Sequence, residues 1–340
     1  MASDVASTIL GRPVTVADSV KALARRCKPA WMVRNMLHYP DLRSNAEFHR
    51  RYGIRRPVVG PISHRHIKRP AGEVPWLDRP DAREALSRHP DLSSFPEPIQ
   101  RSLFGWIDNG YMTLPKFFDD AVIDAMNSSI EDLVDRGEAS MNPRDRRRVM
   151  NPFLQSREVA DALTDPELLR LLSFTLGKQV RLFQGMHFYV GSQQDAHSDF
   201  FHMSTEPVGF LIAIWIALED ILPGSGPVYY YPGSHKLPYL MSEDLEARSG
   251  PFFIARDKDE EYSRRLSAAV REAGIEPVEF VAEKGDVLVW HANLVHGGHP
   301  ITRDGATRRS LVAHYFARGV LCYHEVTERP AVFPASADSS

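Results

Sequence analysis

A chain of 340 residues, 43% hydrophobic and 25% charged, has the makeup of an ordinary soluble globular protein, and disorder is excluded as its main theme. The formal net charge is −3 and there is no long basic block, so neither nucleic acid nor an anionic membrane is implied as a partner. Two cysteines, Cys27 and Cys322, stand at opposite ends without metal-ligand spacing, which argues for a reducing compartment and against a disulfide framework.

The opening MASDVASTIL lacks the basic region and apolar core of a secretory signal, and the longest apolar run, Val208 to Leu218, stops at Glu219-Asp220. A cytoplasmic protein without a membrane span is expected, with monomer and homodimer equally open. Residues 1–105 are rich in Arg, His and Pro. Helical spacing appears there only in short pieces, Ser19 to Cys27 and Ala30 to Leu37, separated by Pro29. They read as a mostly helical or irregular extension packed on a larger domain. Within it, Tyr52 to Pro75 is proline-rich and basic, and His64, Arg65 and His66 read as a solvated loop.

From Asp119 to Arg136 the apolar positions Val122, Met126, Ile130, Leu133 and Val134 follow helical spacing, with Asp119-Asp120 at the start and Gly137 at the end. The glycosylation pattern Asn127-Ser128-Ser129 falls inside this helix and reads as coincidence. A second helix, Pro166 to Leu176, is closed by Gly177. Then the period changes. Val180 to Val190, Val208 to Leu218, Pro227 to Tyr231, Val278 to Val281, Asp286 to Trp290 and Arg308 to Ala317 are β-branched and aromatic runs bounded by Gly, Pro and Asp. Strands with few helices between them predict a mainly β fold, an antiparallel sandwich or jelly roll with flanking helices. Residues 242–274 form a charged insertion whose helical piece, Glu261 to Glu272, repeats Tyr262, Leu266 and Val270 every fourth residue. Such an insertion is either a lid over a pocket or a plain surface helix. Residues 331–340 read as a flexible tail.

The chemistry sits in His197-Ser198-Asp199 and in His296, much further on. On an extended strand, residues i and i+2 share a face, so His197 and Asp199 point the same way. Two imidazoles and one carboxylate make a facial set of three ligands for iron(II), with three coordination positions left open. Downstream, Arg308-Arg309-Ser310 places Arg308 and Ser310 on one strand face, an arrangement that can hold the far carboxylate of a dicarboxylic acid. Strand alternation lets only one of Arg308 and Arg309 face inward.

The text from Gln194 to Lys236, with His197-Ser198-Asp199, Trp215-Ile-Ala-Leu-Glu219-Asp220, Gly226-Pro227 and Pro232-Gly233-Ser234-His235, resembles the phytanoyl-CoA dioxygenase family. So does Gly285-Asp286-Val-Leu-Val-Trp290-His291 with His296-Gly297 and Arg308. The resemblance covers roughly residues 106–318 and implies a cupin-like double-stranded β-helix, an oxygenase domain over 106–330. It implies iron(II), with His197, Asp199 and His296 as its ligands, and 2-oxoglutarate as cosubstrate, its distal carboxylate anchored by Arg308 and Ser310. Trp215 falls where the family places a tryptophan near the cosubstrate, and Gln184 and Met186, on the inward face of the strand before the motif, are further candidates for contact with it.

Other histidines compete. His291 ends the strand headed by Gly285-Asp286, whereas His296 aligns with the family's ligand. His202 falls off the Asp199 face and suits a substrate-side role. His235 suits a turn-stabilising hydrogen bond, and His187 and His314 read as core or edge residues. Many family members have a hydroxyl where this chain has Gly298, a gap that Ser310 can fill.

The reaction so implied uses O2 to hydroxylate an unactivated C–H bond of a small molecule, such as a natural-product intermediate, with formation of succinate and CO2. Desaturation, epoxidation and cyclisation are variants. Halogenation is disfavoured, because related halogenases replace the Asp199 carboxylate by a small residue. His202, Met203, Tyr229, Tyr231 and the insertion are the candidate substrate pocket. The rivals are a family member that binds a metabolite without turnover, and a zinc hydrolase using the same three ligands.

Overall fold

The computed structural model describes residues 26–142 and 148–333. Most of the helical piece expected at Ser19 to Cys27, and the tail beyond residue 333, lie outside the described residues. Twelve strands are present: β1 Tyr111–Leu114, β2 Arg148–Met150, β3 Val180–Phe188, β4 Ser204–Glu206, β5 Leu211–Ala217, β6 Val228–Tyr230, β7 Val278–Phe280, β8 Val287–His291, β9 His296–Gly298, β10 Ser310–Ala317, β11 Leu321–His324 and β12 Arg329–Pro330. A six-stranded sheet runs β1-β8-β5-β10-β3-β2, with three-stranded sheets β7-β6-β9 and β12-β11-β4 beside it. Every pairing is antiparallel. This is the mainly β, jelly-roll architecture expected from the alternation of strands.

The sequence of β5 explains its place. All seven residues of Leu211–Ala217 are buried, so both faces of this central strand are covered. Ile212, Ile214 and Ile216 join Val287, Val289, Leu311 and Ala313 in a core that packs against the helices Asp120–Asp135 and Pro166–Leu176. Ala213, Trp215 and Ala217 face the other way, into a second core shared with Val228 and Tyr230 of β6 and Leu288 and Trp290 of β8. Side-chain alternation thus divides one continuous apolar run between two layers. The site lies in the second layer.

Helix ends follow local chemistry. Asp119, Ser156 and Asp165 each cap a helix by accepting a backbone N–H three residues on, from Val122, Val159 and Leu168. The helix Lys28–Leu37 begins before Pro29 rather than after it, because the first turn needs no N–H from that residue. Helix Glu97–Asn109 runs through residues 105 and 106, so the boundary set there falls inside one helix, and its Leu103 and Trp106 share the main core. The insertion helix begins at Lys258, three residues earlier than its apolar spacing suggests.

The basic stretch around His64 is not a free loop. It forms a short helical turn, His64–His66, whose His64 N–H donates to the buried Glu325 carboxylate at 2.8 Å while Arg65 pairs with buried Glu328 at 2.9 Å. Lys28 reaches the same Glu328 at 2.8 Å and the Gly250 carbonyl at 2.8 Å, and Cys27 bridges to Phe253. The N-terminal extension therefore clasps the inserted segment as well as the barrel. Removing one partner from this buried charge cluster would leave the other uncompensated, which is why its members come together.

Candidate active site

His197 and His296 face each other across a single two-way bridge, each N–H donating to the other's carbonyl at 2.9 Å. His197 and Ser198 are extended, but Asp199 opens the short helical turn Asp199–Phe201, so the pair sits at a strand-like edge and not within a strand. The three ligand atoms all lie within 4.8 Å of one another, and among the described residues this is the one group suited to a metal ion. His197 Nε2 and His296 Nε2 stand 3.9 and 3.8 Å from Asp199 Oδ1.

The surroundings orient these groups. His197 Nδ1 lies 2.9 Å from the Asp195 carbonyl, and His296 Nδ1 lies 3.0 Å from the Leu294 carbonyl. Each Nδ1–H therefore donates to the backbone, leaving both Nε2 lone pairs pointing at the carboxylate, as metal-ligating histidines require. Trp290 Nε1 donates to Asp199 Oδ2 at 2.7 Å, and His314 Nε2 lies 3.3 Å from the same oxygen. Burial, then the neighbouring His296, depress the His197 pKa to about 3 and favour the neutral form that binds metal. Burial works against the Asp199 carboxylate, but His314, His296 and His197 outweigh it and hold its pKa below the ordinary range. The donor set and its tautomers fit a divalent metal.

Next to these groups is a cavity of about 60 Å³, also lined by Met186, Phe188, Trp215, Trp290, Val312 and Arg308. Arg308 is 1% exposed, and its polar contact is one hydrogen bond to the Gly226 carbonyl at 3.2 Å. Its Nε and the Trp215 indole N–H are buried without a partner, and both residues line the cavity; the Ser310 hydroxyl is also unpartnered, but Ser310 falls outside the lining residues. Burial, with Arg148 nearby, lowers the Arg308 pKa to about 10, which still leaves it charged at neutral pH. Leaving a charged donor and an indole N–H unsatisfied is costly, so this end of the cavity suits an anionic acceptor. Arg309 points the other way, to Glu131 at 2.6 Å.

A second, outer pocket of about 600 Å³ adjoins the first, and the two share Gln194 and His197. It is bordered by His202, Tyr229 and Tyr231 and by one face of helix Lys258–Glu272. The opposite face of that helix is bolted to the metal motif. Ser198 points away from the two ligands, and its hydroxyl bonds the buried Tyr262 hydroxyl at 2.6 Å, while the Tyr262 ring stacks on Phe201 at 3.8 Å.

Several expectations need correction. Met203 does not line the outer pocket; it is buried in the main core, because the turn at Asp199 rotates it away from His202. Gln184 pairs with His314 across β3 and β10, at a β-bulge, and falls outside the residues lining the inner cavity, although Met186 on the same face lines it. His314 is no bland core histidine, since it abuts Asp199. His235 packs on Gly110, where an added Cβ would lie 2.5 Å from its ring, and hydrogen-bonds the Ile107 backbone, while within the turn Ser234 accepts the Val295 N–H. At Gly298 an added Cβ would lie 2.5 Å from the hydroxyl of Ser192, which lines the inner cavity, so a side chain at 298 would displace it. His291 is committed to Asp78 at 3.0 Å, away from the metal motif. Sequence reasoning gave no role to Trp290, His314, Ser192 or Gln194. Even-numbered alternation with Arg308 along β10 is the signal that finds His314.

Fold and site together define a cupin-like double-stranded β-helix protein with a two-histidine, one-carboxylate centre. A family model described as phytanoyl-CoA dioxygenase matches residues 106–310, and the chain belongs to that family. It is 26% identical over 141 residues to phytanoyl-CoA dioxygenase domain-containing protein 1 of Danio rerio, covering 39% of this chain and 44% of that protein. It is 24% identical over 170 residues to the peroxisomal phytanoyl-CoA dioxygenase of Bos taurus, covering 48% and 47%. The match thus spans less than half the length of either curated relative. Among solved structures, the non-haem α-ketoglutarate-dependent carbocyclase SnoK from nogalamycin biosynthesis superposes with a TM-score of 0.55 at 16% identity, over 72% of this chain and 94% of that one. The epimerase SnoN gives 0.53 at 20%, over 68% and 87%. EctD from S. alaskensis in its apo form gives 0.52 at 19%, over 71% and 85%. At these identities the likeness establishes the fold. No helix among the described residues is long and apolar enough to cross a membrane.

Proposed function

We propose that this protein is an iron(II)- and 2-oxoglutarate-dependent dioxygenase that hydroxylates a C–H bond of a small molecule. The observation that carries the reading is the buried, carboxylate-free Arg308 guanidinium in the same cavity as His197, Asp199 and His296. A site for a metal alone would have no use for it. A dicarboxylate would satisfy the guanidinium by a bidentate pair, and the unpartnered Trp215 N–H that lines the same cavity adds a donor for it. A zinc hydrolase would leave Arg308 unexplained. SnoN has been solved with Fe3+ and α-ketoglutarate, on the same fold.

His197, Asp199 and His296 would hold iron(II) through Nε2, a carboxylate oxygen and Nε2. When bound, the metal supplies dioxygen activation, by which 2-oxoglutarate, O2 and a C–H bond become succinate, CO2 and an alcohol. The protein's own part is to bind, orient and exclude water. Trp290 and His314 fix the Asp199 carboxylate, which would serve as the oxygen donor to the metal. Phe188, Val228 and Val312 keep the inner cavity apolar, and Gln194, its amide nitrogen 3.2 Å from His197 Nε2, stands where the inner cavity meets the outer pocket. The substrate carbon would enter from that side.

Adding iron(II) and 2-oxoglutarate to the protein without oxygen tests this directly. A visible charge-transfer band from the chelate is expected. Absence of the band with fresh protein, or its survival in the Asp199→Ala, His296→Ala double variant, overturns the oxygenase reading.

A further inference from the structure

Resting on that reading, we propose that the substrate is a polyhydroxylated small molecule carrying a protonated amine, held in the outer pocket against helix Lys258–Glu272. At about 600 Å³ this pocket has the size of an ordinary small-molecule site, and through Gln194 and His197 it opens onto the inner cavity. Most of its lining side chains carry polar groups. Ala196 is its one aliphatic residue, and the rings of Tyr229 and Tyr231 add apolar surface. Phenols, serines and the Gln194 amide offer hydrogen bonds to hydroxyl groups.

Charge sets the sign of the ligand. Asp195, Asp259 and Glu260 line the pocket and form no ion pair among the described residues; Arg264 is the one lining guanidinium. Acidic residues in a first helical turn are favoured by the helix dipole, which accounts for part of the pattern. It does not account for Asp195, which approaches from the loop before His197. Nor does it explain why the third acid of that turn behaves differently. Glu261 turns away from the pocket and is consumed by the Glu246 and Ala247 N–H groups and by Arg265. The acids left over converge from two sides on one space. Phosphates of a CoA thioester would meet like charge there, whereas an ammonium group would meet opposite charge.

The test uses metal-loaded protein with 2-oxoglutarate, kept anaerobic, and calorimetric titration with a panel of amino sugars and aminocyclitols. Each is paired with its N-acetyl form, which keeps the hydroxyls and loses the charge, and octanoyl-CoA is included. At least one amine is expected to bind roughly tenfold tighter than its acetylated partner and than octanoyl-CoA, with the preference weakening as salt is raised. In the D259N/E260Q variant the preference is expected to shrink to about twofold or less, with an unchanged thermal midpoint showing that the helix still folds. No amine preference anywhere in the panel, tighter binding of octanoyl-CoA, or a preference that survives D259N/E260Q overturns the proposal. The chelate band separates the two readings: if it forms while the amine preference is absent, only the substrate class is wrong.

Discussion

The inner cavity and the outer pocket touch through two residues, yet they are built by different means. The inner cavity takes most of its groups from the strand lattice: Met186 and Phe188 from β3, Trp215 from β5, Trp290 from β8, Val312 and His314 from β10, with Arg308 just ahead of it, while His197 and Asp199 come from the segment between β3 and β4. Neighbouring strands hold the strand residues within the sheet, and nearly all are buried. The outer pocket takes its groups from the loop before His197, from β6 and the residue after it, and from a helix in an insertion; Asp195, Asp259 and Glu260 are exposed. Rigid elements suit atoms that must be placed to a fraction of an ångström, and loops suit recognition that varies with the ligand. On this reading, the chemistry belongs to the sheet and the choice of substrate to the insertion.

Substitutions in the inner cavity should therefore strike metal and cosubstrate, and the largest effect is expected at a ligand. His296→Ala removes one of the three donors, and the anaerobic chelate band should disappear; a band of ordinary intensity would mean that the metal sits elsewhere. Arg308→Ala should keep iron but weaken 2-oxoglutarate by roughly 100-fold, within the 2–5 kcal/mol typical of truncating a buried charge pair. Titrating 2-oxoglutarate against the band measures this. Affinity unchanged in that variant would remove the reason for reading the cavity as a dicarboxylate site. Trp290→Phe keeps the ring and deletes the hydrogen bond to Asp199, and iron affinity should fall by roughly tenfold, the lower end of the range for partners that orient metal ligands. Competition with a chelator of known affinity reads it out.

The strand-borne half of the molecule was largely legible in the sequence. Val208 to Leu218 announces a strand covered on both faces, and Arg308-x-Ser310 announces its own face by alternation alone. His197 and Asp199 share a side for the reason the spacing suggests, although the backbone turns at Asp199. What stayed hidden depends on contacts between distant segments. Neither Trp290 nor His314 carries any local mark of its approach to Asp199. Met203, grouped with His202 as a pocket residue, packs in the main core instead, beyond the helical turn that follows Asp199. His64 and Arg65 looked like a solvated loop because their partners, Glu325 and Glu328, lie at the far end of the chain.

The smallest expected effect tests the division itself, at the point where insertion and metal motif are joined. Ser198 is the residue between two candidate ligands, and its hydroxyl meets Tyr262 on the insertion helix at 2.6 Å, with both residues buried. Tyr262→Phe preserves the stack on Phe201 and removes the hydrogen bonds its hydroxyl makes with the Ser198 side chain and backbone, leaving the Ser198 hydroxyl unsatisfied. Stability should fall by about 1–2 kcal/mol, measured as a shift in the urea midpoint. Iron affinity should change far less than in Trp290→Phe, because the His197 and His296 rings are oriented by the Asp195 and Leu294 carbonyls and the Asp199 carboxylate by Trp290, none of which the helix supplies. If Tyr262→Phe instead costs as much iron affinity as Trp290→Phe, the helix is part of the metal centre. Recognition and chemistry would then be one unit, because any shift of the helix on binding substrate would reach the ligands through Tyr262 and Ser198.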